Sequence, residues 1–411
     1  MTDTKLQHYN FLEGFEIQDQ CLVIGGQKIQ EIMSNIRDVP VYLYDHQIID
    51  RKIHHLRKLL PPKLKLHYAI KANPSKQIVS YVSKLVDGLD VASAGELELA
   101  LENKTNPSTI SIAGPGKSDM DLKLAARSGI VISLESELEF NRVVQISESL
   151  GTSANVALRI NPDFELKTSG MKMSGGSKPF GVDEESAAAL ISRIKSSPLN
   201  FVGLHIYSGS QNLNADHIIE AQTRTFSLAE KLSRLTKTQF QQVNIGGGFG
   251  IPYFPGDRPL ELEQIGNHLH SLMNEFKVMH ENTQIIIELG RYIVGECGVY
   301  LCKVVDKKVS RGKTFLIVNG GLHHHLAASG NLGQVIRKNF PLTVANRIGS
   351  QAETVDVVGP LCTPLDILGS NMELPIAEAG DYIAVFNSGA YGYSASPLEF
   401  LGHPHPQEIL L

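Results

Sequence analysis

Lys71 closes the apolar run His67-Tyr68-Ala69-Ile70 and is followed by a turn at Ala72-Asn73-Pro74. A lysine at the end of a buried strand loses part of its ammonium solvation, its pKa falls, and its free amine can form a Schiff base with a carbonyl. Taken alone, the same residue also fits a strand end that reaches solvent. Two further groups of residues bear on the choice. Gly246-Gly247-Gly248-Phe249-Gly250 follows Asn244-Ile245, and a glycine run there exposes backbone N–H groups with no Cβ in the way, as a phosphate cradle requires. An ordinary glycine turn is the alternative. Arg291 and Ser210 are candidates to add a charged and a hydroxyl contact to the same phosphate. Glu288 ends the strand-like run Ile285-Ile286-Ile287. A carboxylate is costly to bury there unless paired, and one facing a heterocyclic nitrogen would hold that nitrogen protonated.

The elements that must position these residues show in the hydrophobic pattern. Leu66–Ile70, Gly88–Val91, Thr109–Ala113, Gly129–Leu134, Asn155–Ile160, Phe201–Tyr207, Gln242–Ile245 and Gln284–Glu288 are short runs rich in β-branched and apolar residues. Amphipathic, helix-like stretches such as Pro74–Leu85, Gly95–Glu102, Ser118–Arg127 and Ala215–Leu235 lie between them. Apolar strands alternating with helices predict a parallel sheet, and eight of them are the number that closes a (β/α)8 TIM-type barrel. From about Tyr300 the pattern changes to strands without regular helices: Cys302–Ser310, Thr314–Asn319, Thr354–Val358 and Tyr382–Phe386. The expected architecture is therefore α/β, with a barrel over 36–290. A C-terminal antiparallel β domain, a β-sandwich or β-barrel of residues 1–35 with 291–411, would carry Cys362 and Tyr391. In such a barrel the site lies at the C-terminal strand ends. Lys71, Asp90, Arg159, Tyr207 with Ser210, Gly246–Gly248, and Glu288 with Gly290 and Arg291 all fall there. An amine, a phosphate cradle and a buried carboxylate together meet the requirements of pyridoxal phosphate.

Composition narrows the class. The chain has 411 residues, 42% hydrophobic and 20% charged, with a net charge of −5. That is a globular balance, and it argues against a nucleic-acid binder. No apolar run approaches the roughly 18 residues of a membrane span, and Met1-Thr2-Asp3-Thr4-Lys5 lacks a signal-peptide layout, so neither membrane attachment nor secretion is expected. Cys21, Cys297, Cys302 and Cys362 have no metal-ligand spacing and suit a reducing cytoplasm. Cys297 and Cys302 read as buried small hydrophobes. His323-His324-His325 reads as a polar loop rather than a metal site, because successive side chains of an extended segment point to opposite faces. No metal is expected. Lys117, after Gly114-Pro115-Gly116, reads as a pocket-rim or solvated lysine.

Several motifs, in order along nearly the whole chain, resemble the pyridoxal-phosphate-dependent decarboxylases with an alanine-racemase-type barrel, which include ornithine and diaminopimelate decarboxylases. Tyr68-Ala69-Ile70-Lys71-Ala72-Asn73 is similar to the family's Schiff-base motif, and Asp90-Val91-Ala92-Ser93-Ala94-Gly95-Glu96 to its next motif. Gly246-Gly247-Gly248-Phe249 resembles the phosphate loop, Glu288 with Gly290-Arg291 the segment that carries the pyridine-nitrogen partner and a phosphate contact, and Ser388-Gly389-Ala390-Tyr391-Gly392 the motif whose tyrosine also touches the phosphate. Gly359-Pro360-Leu361-Cys362-Thr363-Pro364-Leu365-Asp366 resembles the catalytic-cysteine motif. In the family that cysteine reaches the partner's site, so the resemblance implies a homodimer with shared active sites.

Three positions depart from the pattern. Tyr207 stands where the family commonly stacks a histidine on the cofactor ring, and Leu289 replaces a proline. Thr363 replaces the acidic residue that grips a distal ammonium. The Cys-Thr-Pro-Leu-Asp segment, Gly203–Gly209 and Gly320–His325 resemble a narrower subgroup, the exosortase-associated and acyl-carrier-protein-glutamyl decarboxylases. The resemblance thus implies α-decarboxylation of an L-amino acid or a carrier-bound aminoacyl group. Lys71, Cys362 and Glu288 would be catalytic, and Cys362, Thr363 and Tyr391 would meet substrate. A racemase on the same fold and a non-catalytic decarboxylase-like regulator are the alternatives. Racemases pair the ring nitrogen with arginine, and regulators lose site residues, whereas this chain keeps Lys71, Glu288 and Cys362.

Overall fold

The computed structural model describes residues 11–165, 171–254, 256–277, 280–332, 334 and 336–411. Residues 1–10, the start of the expected lead-in, lie outside the described residues. The chain divides into two compact units: residues 52–250 with 260–290, and residues 1–51 with 251–259 and 291–411.

The first unit is a closed parallel barrel. Its strands are β1 (Lys65–Ala69), β2 (Gly88–Val91), β3 (Ile110–Ile112), β4 (Val131–Leu134), β5 (Asn155–Asn161), β6 (Asn200–Ile206), β7 (Gln242–Gly247) and β8 (Gln284–Leu289). Each pairs with the next, and β8 returns to β1 with Glu288 opposite His67 and Leu289 opposite Tyr68. The strands are buried almost throughout, as a parallel sheet covered by helices requires. Local chemistry sets where the helices begin. Ser118 caps Asp119–Ser128 and forms a reciprocal capping box with Asp121, and Gly129 ends that helix in the left-handed conformation at φ 72°. Ser93, Ser136 and Asn214 cap the helices Ala94–Glu102, Glu137–Leu150 and Ala215–Thr236 through their side-chain oxygens. A helix therefore starts shortly after each of the strands β2, β4 and β6, which leaves the strand's C-terminal end facing a short loop.

The second unit is a mixed sheet. Gly298–Ser310 is its spine, pairing antiparallel with Val41–Tyr44, Tyr382–Val385 and Lys313–Val318. Lys313–Val318 runs parallel to Ala352–Val358, and Gln407–Leu410 parallel to Val41–Tyr44, so the sheet is mostly but not wholly antiparallel. A separate three-stranded sheet over residues 16–28 forms the lead-in, and Leu22, Ile24, Val41, Leu43, Val299, Leu301 and Phe386 pack in one core. Residues 36–51, expected in the barrel, belong to this unit. Val41–Tyr44 reads locally like a barrel strand, but its hydrogen-bonding partners come from the far end of the chain.

Candidate active site

Within the barrel, the C-terminal strand ends bring several expected residues together. Lys71 follows β1 in a short 3-10 turn, Ile70–Ala72, and is exposed. The desolvation expected of a buried strand end is therefore absent. What stands beside its amine is an aromatic face: Lys71 Nζ lies 5.3 Å from the centre of the Tyr207 ring. Asp90, at the end of β2, is buried, accepts a short hydrogen bond from Ser111 Oγ, and lies 3.4 Å from His67 Nδ1. The downstream part of that motif starts a helix. Ser93 Oγ accepts the Glu96 N–H, and the Glu96 carboxylate accepts the Ala92 N–H.

Glu288, at the end of β8, is buried. Burial alone would raise its pKa, but His205, Lys71 and Arg159 outweigh that and hold the carboxyl at about 2. His205 Nε2 lies 3.3 Å from Glu288 Oε2, not aligned as a hydrogen bond, and His205 Nδ1 lies 3.1 Å from Ser133 Oγ. Asn244 Nδ2 donates to the same Oε2 at 3.0 Å. Neither His205 nor Asn244 was singled out from the sequence. The signal available was a polar residue inside an otherwise apolar strand, at the position aimed into the barrel.

The glycine loop after β7 requires its composition. An added Cβ on Gly247 would fall 2.0 Å from the Glu288 carbonyl oxygen, and one on Gly248, at φ +79°, 2.2 Å from that of Gly209. No side chain fits, and only glycine adopts the second conformation without strain. Ser210 lies on a short strand with Gly209 that pairs with Met171–Lys172.

Arg159, buried at the end of β5, places Nη1 2.6 Å from Glu135 Oε1. Glu135 also accepts the N–H groups of Gly114 and Gly181. Arg159 and Lys117 together hold its carboxyl below the usual range against the opposing effect of burial. Lys117 is neither solvated nor at a rim. It is buried, pairs with Glu139 at 3.1 Å, and donates to the Gly114 and Ser133 carbonyls. Burial lowers its pKa, although the neighbouring carboxylates oppose that shift.

In the β unit, Arg291 Nη1 donates to Tyr253 Oη at 2.9 Å, and the guanidinium lies 4.6 Å from the centre of the Tyr391 ring. Tyr391 adopts φ 54°, a conformation that a bulky residue holds only when its surroundings impose it. Cys362 is an exposed free thiol, whereas Cys297 and Cys302 are buried and burial pushes both thiols up. Thr363 Oγ1 accepts the Leu365 N–H at 3.3 Å within its own turn. All three residues of His323–His325 are buried. Asp366 joins that segment to the Cys362 turn, because its two oxygens accept the N–H groups of Leu322 and Leu361. Among the described residues no group of three or more His, Cys, Asp or Glu is placed to hold a metal ion, and no helix is long and apolar enough to cross a membrane.

A parallel barrel with a lysine, a glycine cradle and an ionised buried carboxylate at its strand ends, on a chain that also folds a mixed β unit, defines the architecture of a barrel-type pyridoxal enzyme. The family model for the pyridoxal-binding domain of pyridoxal-dependent decarboxylases matches residues 46–295. The chain is 38% identical over 380 residues to the L-glutamyl-[BtrI acyl-carrier protein] decarboxylase of Niallia circulans, covering 91% of this chain and 89% of that one. It is 31% identical over 409 residues to the diaminopimelate decarboxylase of Aquifex aeolicus, covering 99% and 94%. The crystal structure of diaminopimelate decarboxylase from Helicobacter pylori complexed with L-lysine superposes with a TM-score of 0.84 at 30% identity, over 93% of this chain and 94% of that one. The chain belongs to the pyridoxal-dependent decarboxylases.

Proposed function

We propose that this enzyme removes the α-carboxyl of an L-amino acid, or of an aminoacyl group borne on an acyl-carrier protein, using pyridoxal 5′-phosphate. The observation that carries the reading is the grouping of Lys71, the Tyr207 ring and the ionised Glu288 at the C-terminal ends of β1, β6 and β8. The residues fit the cofactor. The loop at Gly246–Gly248 is a cradle that any Cβ would fill, and Glu288 keeps its negative charge despite burial. When bound, pyridoxal phosphate supplies the sink for the electron pair released as CO2 leaves. The chain's own residues do the rest. Lys71 Nζ attaches the group, Glu288 holds a proton on its ring nitrogen, and Tyr207 offers a face for stacking. Ser210, Gly246–Gly248 and Gly290 bind the phosphate. Asp90 and Arg159 border the ring.

Cys362, exposed on its own chain, reaches a second copy of the protein and protonates the α-carbon there as general acid. The working form is thus a homodimer with shared sites. Four free thiols suit a reducing, cytoplasmic setting. The substrate's distal end is neutral or leads to a carrier arm, because Thr363 offers no charge to a distal ammonium. The Niallia circulans relative, an L-glutamyl-[BtrI acyl-carrier protein] decarboxylase, acts on a substrate of this kind.

The test is covalent mapping. Purified protein should be yellow, borohydride should bleach the imine band, and peptide mapping should place the reduced adduct on Lys71. An adduct on another lysine, or none, refutes the assignment.

A further inference from the structure

Asn244 is buried on β7, and its side-chain amide works in two directions. Nδ2 donates to Glu288 Oε2 at 3.0 Å, and Oδ1 accepts the N–H of Gly246 at 2.8 Å. A carboxylate only accepts and a backbone N–H only donates, so the two partners fix the orientation of the amide. The contacts sit where the ladder between β7 and β8 slips. Asn244 pairs with Ile286, but the next pair is Gly247 with Glu288, which leaves one extra residue on β7. Gly246, at φ +68°, turns the chain at that bulge. One side chain therefore holds both the start of the glycine loop and the carboxylate. His205 approaches the same Oε2 at 3.3 Å, so that oxygen is held by two groups.

We propose that Asn244 is a positioning residue that sets the separation between the phosphate loop and the ring-nitrogen carboxylate, so that the two ends of one cofactor are gripped in register. This rests on the reading that the site takes pyridoxal phosphate. Removing the amide should loosen both ends. Replacing it with a carboxylate keeps an acceptor for Gly246 but sets two like charges side by side at Glu288, which should disturb the ring end alone.

The experiment measures dissociation constants of three probes in full-length protein freed of bound cofactor: pyridoxal 5′-phosphate, pyridoxal and inorganic phosphate. Wild type, Asn244→Ala and Asn244→Asp are compared, with circular dichroism to check folding. Asn244→Ala should weaken all three by about tenfold, the usual effect of losing one hydrogen bond to a charged or loop-fixing group. Asn244→Asp should leave inorganic phosphate within about twofold of wild type and weaken pyridoxal by about tenfold. In that variant the absorption band of bound pyridoxal should also gain a new pH dependence. Wild-type constants for every probe in both folded variants overturn the proposal, even if thermal stability falls. So does a loss confined to inorganic phosphate, because Asn244 would then serve the loop alone. A wild-type chain that binds no pyridoxal 5′-phosphate refutes the site reading and the proposal together.

Discussion

Thr363 directly follows Cys362, and its hydroxyl, which accepts the Leu365 N–H, carries no charge. A free distal ammonium brought there would lose hydration without gaining a charged partner, a penalty of roughly 1–3 kcal/mol or more, which corresponds to about a tenfold to hundredfold loss of specificity. Free ornithine, lysine and diaminopimelate should therefore be poor substrates beside a carrier-linked glutamyl group. Steady-state kinetics on these four compounds check this. Turnover of diaminopimelate or lysine with kcat/KM of about 10⁴ M⁻¹s⁻¹ or more would show that another residue supplies the distal contact. At this scale the sequence was informative where chemistry is carried by residue type: a lysine after an apolar run, three glycines in succession, a glutamate closing an isoleucine run. It was uninformative where the role comes from register. His205, Asn244 and Glu135 are ordinary polar residues along the chain, and only closure of the barrel turns them toward Glu288 and Arg159. The sequence also misjudged solvation, as Lys71 is exposed and Lys117 buried.

Elements were read well where periodicity and caps agree, as in the eight barrel strands and the helix that starts at Ser118. Strands of the β unit were missed where the cues are weak. Leu342–Val344 has three residues, and Ile367–Pro375 contains Gly369, Ser370, Asn371 and Pro375, residues disfavoured in strands. The burial of the three histidines has a consequence for stability. Burial lowers His323 to about 4, with His403 adding to the effect, and lowers His324 and His325 to about 3. Above the unfolded value of about 6.5 both states are neutral and nothing is lost. As pH falls from there toward 4, the unfolded chain binds protons that the folded chain refuses, so stability drops, by up to about 1.4 kcal/mol per pH unit for each histidine. Urea midpoints between pH 7.5 and 4.5 should fall steeply for wild type and less steeply for His323→Leu. An equal slope in the two proteins would show that His323 charges without penalty in the fold.

For the whole molecule, the reading of Cys362 makes activity a property of two chains. Lys71→Ala and Cys362→Ala chains should each be inactive, yet mixing them should restore up to about a quarter of the wild-type sites, because half of the dimers are mixed and each carries one intact site of two. No recovery after proven subunit exchange would mean that Cys362 acts within its own chain or is dispensable. The barrel has a consequence of another kind. β1 and β8 are neighbours in space, with Glu288 opposite His67, yet more than two hundred residues separate them along the chain. Lys71 therefore has no Glu288 beside it while the ribosome is still making the intervening strands. At about 5–20 residues per second, that interval lasts roughly ten to forty seconds. Contacts this distant in sequence form late and slowly. On the proposed assignment, a nascent chain presents its lysine long before it could hold a ring nitrogen, and capture of the cofactor would then report that the last strand has met the first.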